Sequence, residues 1–327
     1  MDRHPLLSIQ NLRVKFPAGS KISQSDLFVI NDISLELFPG EILALVGESG
    51  CGKTITALAT LGLVPPPAII DGGRILFDGE NLLTWSNEEL RHLRGKRISI
   101  IFQDPATALN PTLTIGEQIS EGYLLHYHKS RNSARNLAID LLNKVGIKDA
   151  SRVYKSYPHQ ISGGMRQRAI IAMALICEPE LLIADEPTTS LDTTVQAQII
   201  DLLLDLQEQF GMSILFITHN MAIVSQIAHN VAVMYAGKIM EILPAEKLVT
   251  GSLHPYTKGL LETLPSFEHR GQILPTLMGT VRDKDRMSPG CPFSSRCTSV
   301  KNICRIECPP LSSSSANHHV ACHVVVS

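Results

Sequence analysis

Residues Gly47-Glu48-Ser49-Gly50-Cys51-Gly52-Lys53-Thr54 match the pattern G-x-x-x-x-G-K-[ST] in full. This feature narrows the possible folds most. The pattern works only between a buried strand and a helix, because its backbone N–H groups must converge on an anion at a helix N-terminus. Both neighbours are present. Ile42 to Val46 is a short continuous apolar run, as in a strand covered on both faces, and residues 53 to 63 read as a helix. Such a loop is a phosphate cradle. It predicts Lys53 on the β- and γ-phosphates of a nucleotide and Thr54 on Mg²⁺. Cys51 reads as a small residue filling the loop, not as a redox centre.

A second apolar strand is predicted at 181–184, and it runs into Asp185-Glu186-Pro187. Two carboxylates therefore stand where a buried strand ends, the edge at which open α/β sheets bind ligands. Asp185 is suited to hold Mg²⁺ through its water shell. Side chains alternate along a strand, so Glu186 points elsewhere. It is placed to orient or deprotonate an attacking water.

The rest of the chain sets these motifs in an α/β framework. Residues 7–16 and 33–37 alternate apolar and polar, the period of half-buried strands. Further strands are predicted at 74–78, 98–102, 213–218, 231–235 and 238–243. Helices are predicted at 86–95 with a Ser86 cap, at 163–178 and at 193–210. The stretch from about 104 to 160 is largely helical and reads as an inserted subdomain. Alternating strands and helices favour a largely parallel sheet. After about residue 250 the pattern weakens, and the Ser312 to Ser315 run looks irregular.

Composition removes several function classes. Lys and Arg number 29 against 31 Asp and Glu, so the net charge of -2 offers no general grip on nucleic acid. With 44% hydrophobic and 18% charged residues the chain can bury a core and is not mainly disordered. No apolar run approaches the ~18 residues of a membrane helix. The N-terminus lacks the pattern of a secretory signal. The expectation is a cytoplasmic chain that meets a membrane only through another protein. Five of the 7 cysteines fall after residue 290; in a reducing compartment such clustering points to a metal or cluster site rather than to disulfides.

Ile161-Ser162-Gly163-Gly164-Met165-Arg166-Gln167-Arg168 resembles the signature motif of ATP-binding cassette (ABC) proteins. Alone it would read as a helix cap; its order and spacing beside the two earlier motifs make it specific. The family's usual Gln at the fifth signature position is Met165 here, a variant that looks like the peptide-import branch. By the same resemblance Gln103 is the loop glutamine that contacts Mg²⁺ and couples to membrane subunits. Ser190-Leu191-Asp192 resembles the D-loop at a dimer seam. His219, 33 residues after Glu186, resembles the switch histidine on the γ-phosphate. Phe16 is the candidate for stacking on adenine, with Phe28 competing. His254-Pro255-Tyr256-Thr257, Gly290-Cys291-Pro292-Phe293 and Arg296-Cys297 look like the C-terminal extension of oligopeptide/dipeptide/nickel importer ATPases, the DppD- and OppD-like branch.

The resemblance implies a P-loop NTPase cassette over 1–250, with a RecA-like core, an antiparallel β subdomain and a helical subdomain at about 104–165. A Cys-rich extension follows over 251–327. It implies that two cassettes dimerise head to tail. Ser162, Gly163 and Gly164 of one would then cap the γ-phosphate of ATP held by Lys53 of the other. Binding closes the dimer and hydrolysis opens it. The implied partners are two membrane permeases, a second ATP-binding subunit (a paralogue favoured over a copy of itself) and a periplasmic or surface solute-binding protein. No nucleic-acid partner is implied. The implied place is the cytoplasmic face of the inner membrane, and the implied cargo is a di- or oligopeptide, with nickel or an antimicrobial peptide as alternatives. A soluble ABC ATPase of translation or repair is disfavoured by one cassette and no sustained heptads. For the tail, the family pattern picks Cys291, Cys297, Cys304 and Cys322 as ligands of a 4Fe–4S cluster. Structural zinc and free thiols remain as alternatives, because the spacing itself is not diagnostic.

Overall fold

The computed structural model describes residues 4–20, 26–189, 191–263, 277 and 279–325. Ser190 of the expected D-loop lies outside them. The chain divides into two compact units, Met1–Thr84 with Phe216–Ser327, and Trp85–Leu215.

The first unit contains two sheets. One is antiparallel and four-stranded, in the order Leu27–Leu37, Leu7–Phe16, Ile69–Phe77, Glu80–Asn81. Leu7, Ile9, Leu12 and Val14 are buried, as the alternation requires, with a register shift between Ile9 and Leu12 that resets the phase. The strand expected at 33–37 begins earlier, at Leu27.

The other sheet positions the phosphate loop. All five residues of Ile42–Val46 are buried, and the strand runs parallel to Asn230–Tyr235. Lys238–Pro244 then pairs antiparallel with Asn230–Tyr235. The Ser312–Ser315 segment corrects the sequence expectation: it is a strand, not an irregular tail. It folds back on His318–Val320 through Asn317, whose φ is +58°, and His318–Val320 docks on Lys238–Pro244. Serine has little strand preference of its own, so the docked partner strand decides the outcome. The tail also supplies core. Tyr256 and Phe293 lie 4.8 and 5.3 Å from Tyr235, ring centre to centre, and 5.2 Å from each other. Such clusters add about 0.5–1.5 kcal/mol per pair beyond burial.

The second unit pairs Ile98–Ile101 in parallel with Leu181–Asp185. Between these strands run helices at Ile115–Tyr127, Arg131–Lys144, Ala150–Tyr154 and Gly163–Leu175. The predicted Ser86 cap is a full capping box with Glu89. Helix Thr193–Phe210 buries Ile199, Ile200, Leu203 and Leu206, a stripe at helical spacing. Strand Ser213–Thr218 carries the chain back to the first unit. A short helix, Met221–Ile227, follows it; no periodicity in so few residues announced it.

Candidate functional site

In the first unit, the loop after Ile42–Val46 leads into helix Lys53–Thr60. Two of its glycines are required by close approach. Gly47 has φ +155°, and a Cβ there would stand 2.1 Å from the carbonyl oxygen of Met234. Gly52 has φ +118°, and its Cβ would meet Val29 O at 2.9 Å. Only glycine lets the loop lie this close to its neighbouring strands. Gly50 also has a positive φ, and Ser49 belongs to the same curl. Lys53 is buried, and its Nζ donates to Gly47 O at 2.8 Å and Glu48 O at 3.1 Å. Thr54 is exposed in the first helical turn. Cys51 is fully buried, and burial pushes its thiol pKa up, so it is a neutral filler of the loop.

Two further predicted residues sit in this unit. His219 is exposed just past Thr218, before the Asn220 cap of the next helix. Phe16 is half-buried at its strand end, opposite Leu27. Lys15 covers its competitor Phe28, Nζ 5.7 Å from the ring centre.

In the second unit the structure brings Gln103 and Glu186 together. Gln103 Nε2 donates to Glu186 Oε2 at 3.0 Å, and the Thr189 hydroxyl donates to the same oxygen at 2.9 Å. Glu186 has φ +47°, a left-handed conformation uncommon for a residue with a side chain. Its neighbour Asp185 is 2% exposed. The strand ends at Asp185, whose carboxylate is buried; the left-handed backbone of Glu186, rather than strand alternation, turns the second carboxylate toward the amide and hydroxyl. Ser162 is the N-cap of Gly163–Leu175, its Oγ accepting from Met165 N–H at 3.3 Å. Gly163 has open space where a side chain would be, whereas a Cβ at Gly164 would stand 3.2 Å from Val195. Asp192 caps Thr193–Phe210, taking the N–H groups of Thr194 and Val195 at 3.1 and 3.0 Å.

Comparison with known proteins fits this arrangement. The ABC transporter family model matches residues 30–189, and that of the oligopeptide/dipeptide transporter C-terminal region matches 240–304. The dipeptide transport ATP-binding protein DppD of Bacillus subtilis is 46% identical over 318 residues, 97% of this chain and 94% of that protein. The chain belongs to the ABC transporter ATP-binding family. A putative peptide import ATP-binding protein of Brucella melitensis is 44% identical over 334 residues, 98% of each chain. Among solved structures, the dimeric, post-hydrolysis ATP-binding cassette MJ0796 bound to ADP and Pi shares the fold. Its TM-score is 0.64 at 24% identity, over 73% of this chain and 99% of that one. CbiO1 of Clostridium perfringens, part of the transporter complex cbiONQ, gives 0.63 at 26% identity, over 76% and 92%. The chain is thus an ABC ATPase, a class that uses ATP with Mg²⁺. Within the second unit, the Asp185 carboxylate and the Gln103 amide oxygen are oxygen donors of the kind this ion prefers.

Sequence reasoning assigned no role at the phosphate loop to three side chains of the C-terminal tail. Tyr256, Arg286 and Arg296 all reach the phosphate loop. The Tyr256 hydroxyl accepts from Glu48 N–H at 3.0 Å. Arg286 donates to Val29 O at 2.9 Å and to Gly50 O. Arg296 grips both oxygens of Glu48, each at 2.8 Å. Burial works against the Arg296 charge, yet Glu48 and the Tyr235 hydroxyl outweigh it and raise its pKa. No local pattern links residues so far apart in the chain. The cues lay in the family tail motifs, where Tyr256 follows Pro255 and Arg296 precedes Cys297.

Cys291, Cys297, Cys304 and Cys322 line one small cavity, together with His254 and His323. All seven cysteines are free thiols. Burial pushes the Cys291 thiol up to about 12 and also raises Cys297. Among the described residues no group of three or more His, Cys, Asp or Glu is arranged to hold a single metal ion.

Proposed function

We propose that this ATPase energises uptake of di- or oligopeptides as the nucleotide-hydrolysing subunit of an ABC importer. The observation that carries the hydrolytic part is Glu186, held by Gln103 and Thr189 on one oxygen. A carboxylate so oriented is suited to take a proton from water attacking the γ-phosphate. Lys53 and the loop from Gly47 to Thr54 bind the phosphates. By the family resemblance, Thr54, Asp185 and Gln103 would be the residues to hold Mg²⁺, which would supply positive charge to the phosphates. His219 contacts the γ-phosphate and Phe16 stacks on adenine. Across a dimer seam, Ser162, Gly163 and Gly164 present a helix N-terminus to the partner's nucleotide, and Asp192 lies at the same seam. The open space around Gly163 supports that role. In organisation, 1–250 forms the cassette, with a helical subdomain at about 104–165, and 251–327 forms the extension.

The peptide cargo rests on the relatives' names and on the matching C-terminal region. The partners proposed with it are two permeases, a second ATP-binding subunit and a solute-binding protein. No helix among the described residues is long and apolar enough to cross a membrane, which accords with a peripheral place on the inner face. Purification from membranes should bring down the permeases. ATP turnover of the assembled complex should rise with peptide and its binding protein. Stimulation by nickel and not by peptide would reassign the cargo.

For the tail, the reading of a 4Fe–4S cluster on Cys291, Cys297, Cys304 and Cys322 rests on the family pattern and on their lining one small cavity; as they stand the thiols are not gathered around a single ion. Such a group would tie four separate tail positions together. Visible absorbance with matching iron and sulfide in anaerobically purified protein tests it. Stoichiometric zinc without iron would end it.

A further inference from the structure

The phosphate loop and the tail meet at one ion pair. Glu48, the first variable residue of the loop, receives two parallel N–H bonds from Arg296 at 2.8 Å each. The Arg296 side chain is 5% exposed and that of Glu48 22%. The guanidinium is fixed from every side. It donates to Leu277 O at 3.3 Å, Gly279 O at 3.0 Å and the Tyr235 hydroxyl at 3.3 Å, and it lies 5.6 Å above the Tyr235 ring centre. Its backbone is part of the tight turn from Cys291 to Cys297, closed by Ser294 N–H to Cys291 O and Arg296 N–H to Phe293 O. Tyr256 takes the Glu48 N–H, and Arg286 takes Gly50 O. The tail therefore occupies the outer side of the loop through three side chains.

We propose that Arg296 is a positioning residue of the nucleotide site: through Glu48 it holds the phosphate loop in its binding curl, so that ATP affinity depends on the C-terminal extension. This rests on the reading of Gly47–Thr54 as the ATP loop. A loop that converges several N–H groups on one anion gains affinity in proportion to how little it must be reordered on binding. A bidentate arginine–carboxylate pair fixes both direction and distance, and a lysine cannot reproduce its fork. Arg296 acts on the loop through Glu48, by denying the loop its alternatives.

The test is a double-mutant cycle on ATP·Mg²⁺ affinity of the full-length chain, measured per folded molecule, with thermal melts alongside. Glu48→Gln and Arg296→Gln should each weaken ATP binding about tenfold, the worth of one charge-assisted bond. The double variant should be no weaker than the worse single one, and Arg296→Lys should recover part of the loss. In the assembled transporter Arg296→Gln should raise the KM for ATP while turnover at saturating ATP stays within about twofold, because the loop adopts its curl once filled. Two results would overturn the proposal. One is an Arg296→Gln chain whose folded fraction binds ATP like the unaltered chain, which would leave only a structural pair. The other is additive losses in the double variant, which would show that Arg296 does not act through Glu48. Should the unaltered chain itself fail to bind ATP, the nucleotide reading falls first. Should the unaltered chain bind and Arg296→Gln bind equally, only the brace falls.

Discussion

The phosphate loop and the Glu186 turn are built from different materials. The loop is mostly backbone. Its curl is enforced by glycines pressed against Met234 and Val29, and its outer side is tied to Tyr256, Arg286 and Arg296. The turn is mostly side chain. One carboxylate oxygen is shared by an amide and a hydroxyl, and Glu186 is half-buried with a left-handed backbone. Backbone cradles resist rearrangement; hydrogen-bonded side chains exchange partners. A transport ATPase needs both, because binding must be secure before hydrolysis and the hydrolytic group must respond to its surroundings. The difference implies that affinity and turnover are separable by mutation.

The sharpest test of that separation is Glu186→Gln. Removing the proposed proton acceptor should lower turnover by about 10²–10⁴-fold, while ATP affinity stays within about threefold and the ATP-bound dimer accumulates. Rapid-quench ATPase assays and nucleotide binding read the two quantities independently. Unchanged turnover would remove Glu186 from its role. The complementary variant is Gly47→Ala. Its new methyl would meet Met234 O, a backbone atom that cannot swing away, so the loop must open. ATP affinity should fall at least about tenfold, and Lys53→Ala should do the same by removing the cation.

How much of this was legible in sequence follows the same division. The loop was readable because its chemistry is local: eight consecutive residues fix the curl, and Ile42–Val46 declares its burial by composition. The carboxylates were readable because Asp185 and Glu186 end an apolar run, but Glu186 takes its direction from a left-handed backbone just past the strand, which alternation does not foresee. The hydrogen bond from Gln103 to Glu186 joins strand ends 83 residues apart, so it needed the parallel pairing of Ile98–Ile101 with Leu181–Asp185. Glu48 and Arg296 each stand in a motif, but nothing in either segment signalled that they pair across 248 residues. The Ser312–Ser315 strand was misread because its conformation is imposed by His318–Val320, not by serine. Tertiary context overrides weak local preference in each of these cases.

A smaller effect sharpens the view of the Glu186 turn. Thr189→Val keeps the shape and removes the hydroxyl that bonds Glu186 Oε2. A single neutral-to-charged hydrogen bond is worth about 1.5 kcal/mol, so turnover should fall about tenfold or less. Affinity should not move. Loss of affinity instead would mean that the turn also shapes the binding site, and the contrast between the two regions would blur.

The smallest effect concerns Asp192, where a structural duty and a proposed seam position coincide. Its Oδ1 satisfies two N–H groups at the start of Thr193–Phe210, a helix that buries four aliphatic side chains. Asp192→Ala should cost about 1 kcal/mol of stability, read in a denaturant melt. Asp192→Asn keeps an acceptor oxygen in the same place, and asparagine caps as well as aspartate, so its melt should match the unaltered chain. The two variants separate the duties. If Asp192→Asn is as stable as the unaltered chain and hydrolyses ATP at the same rate, capping accounts for the residue. If it is equally stable yet slow in the assembled dimer, the carboxylate charge acts across the seam, and the side-chain-built region extends beyond Glu186 to the start of this helix.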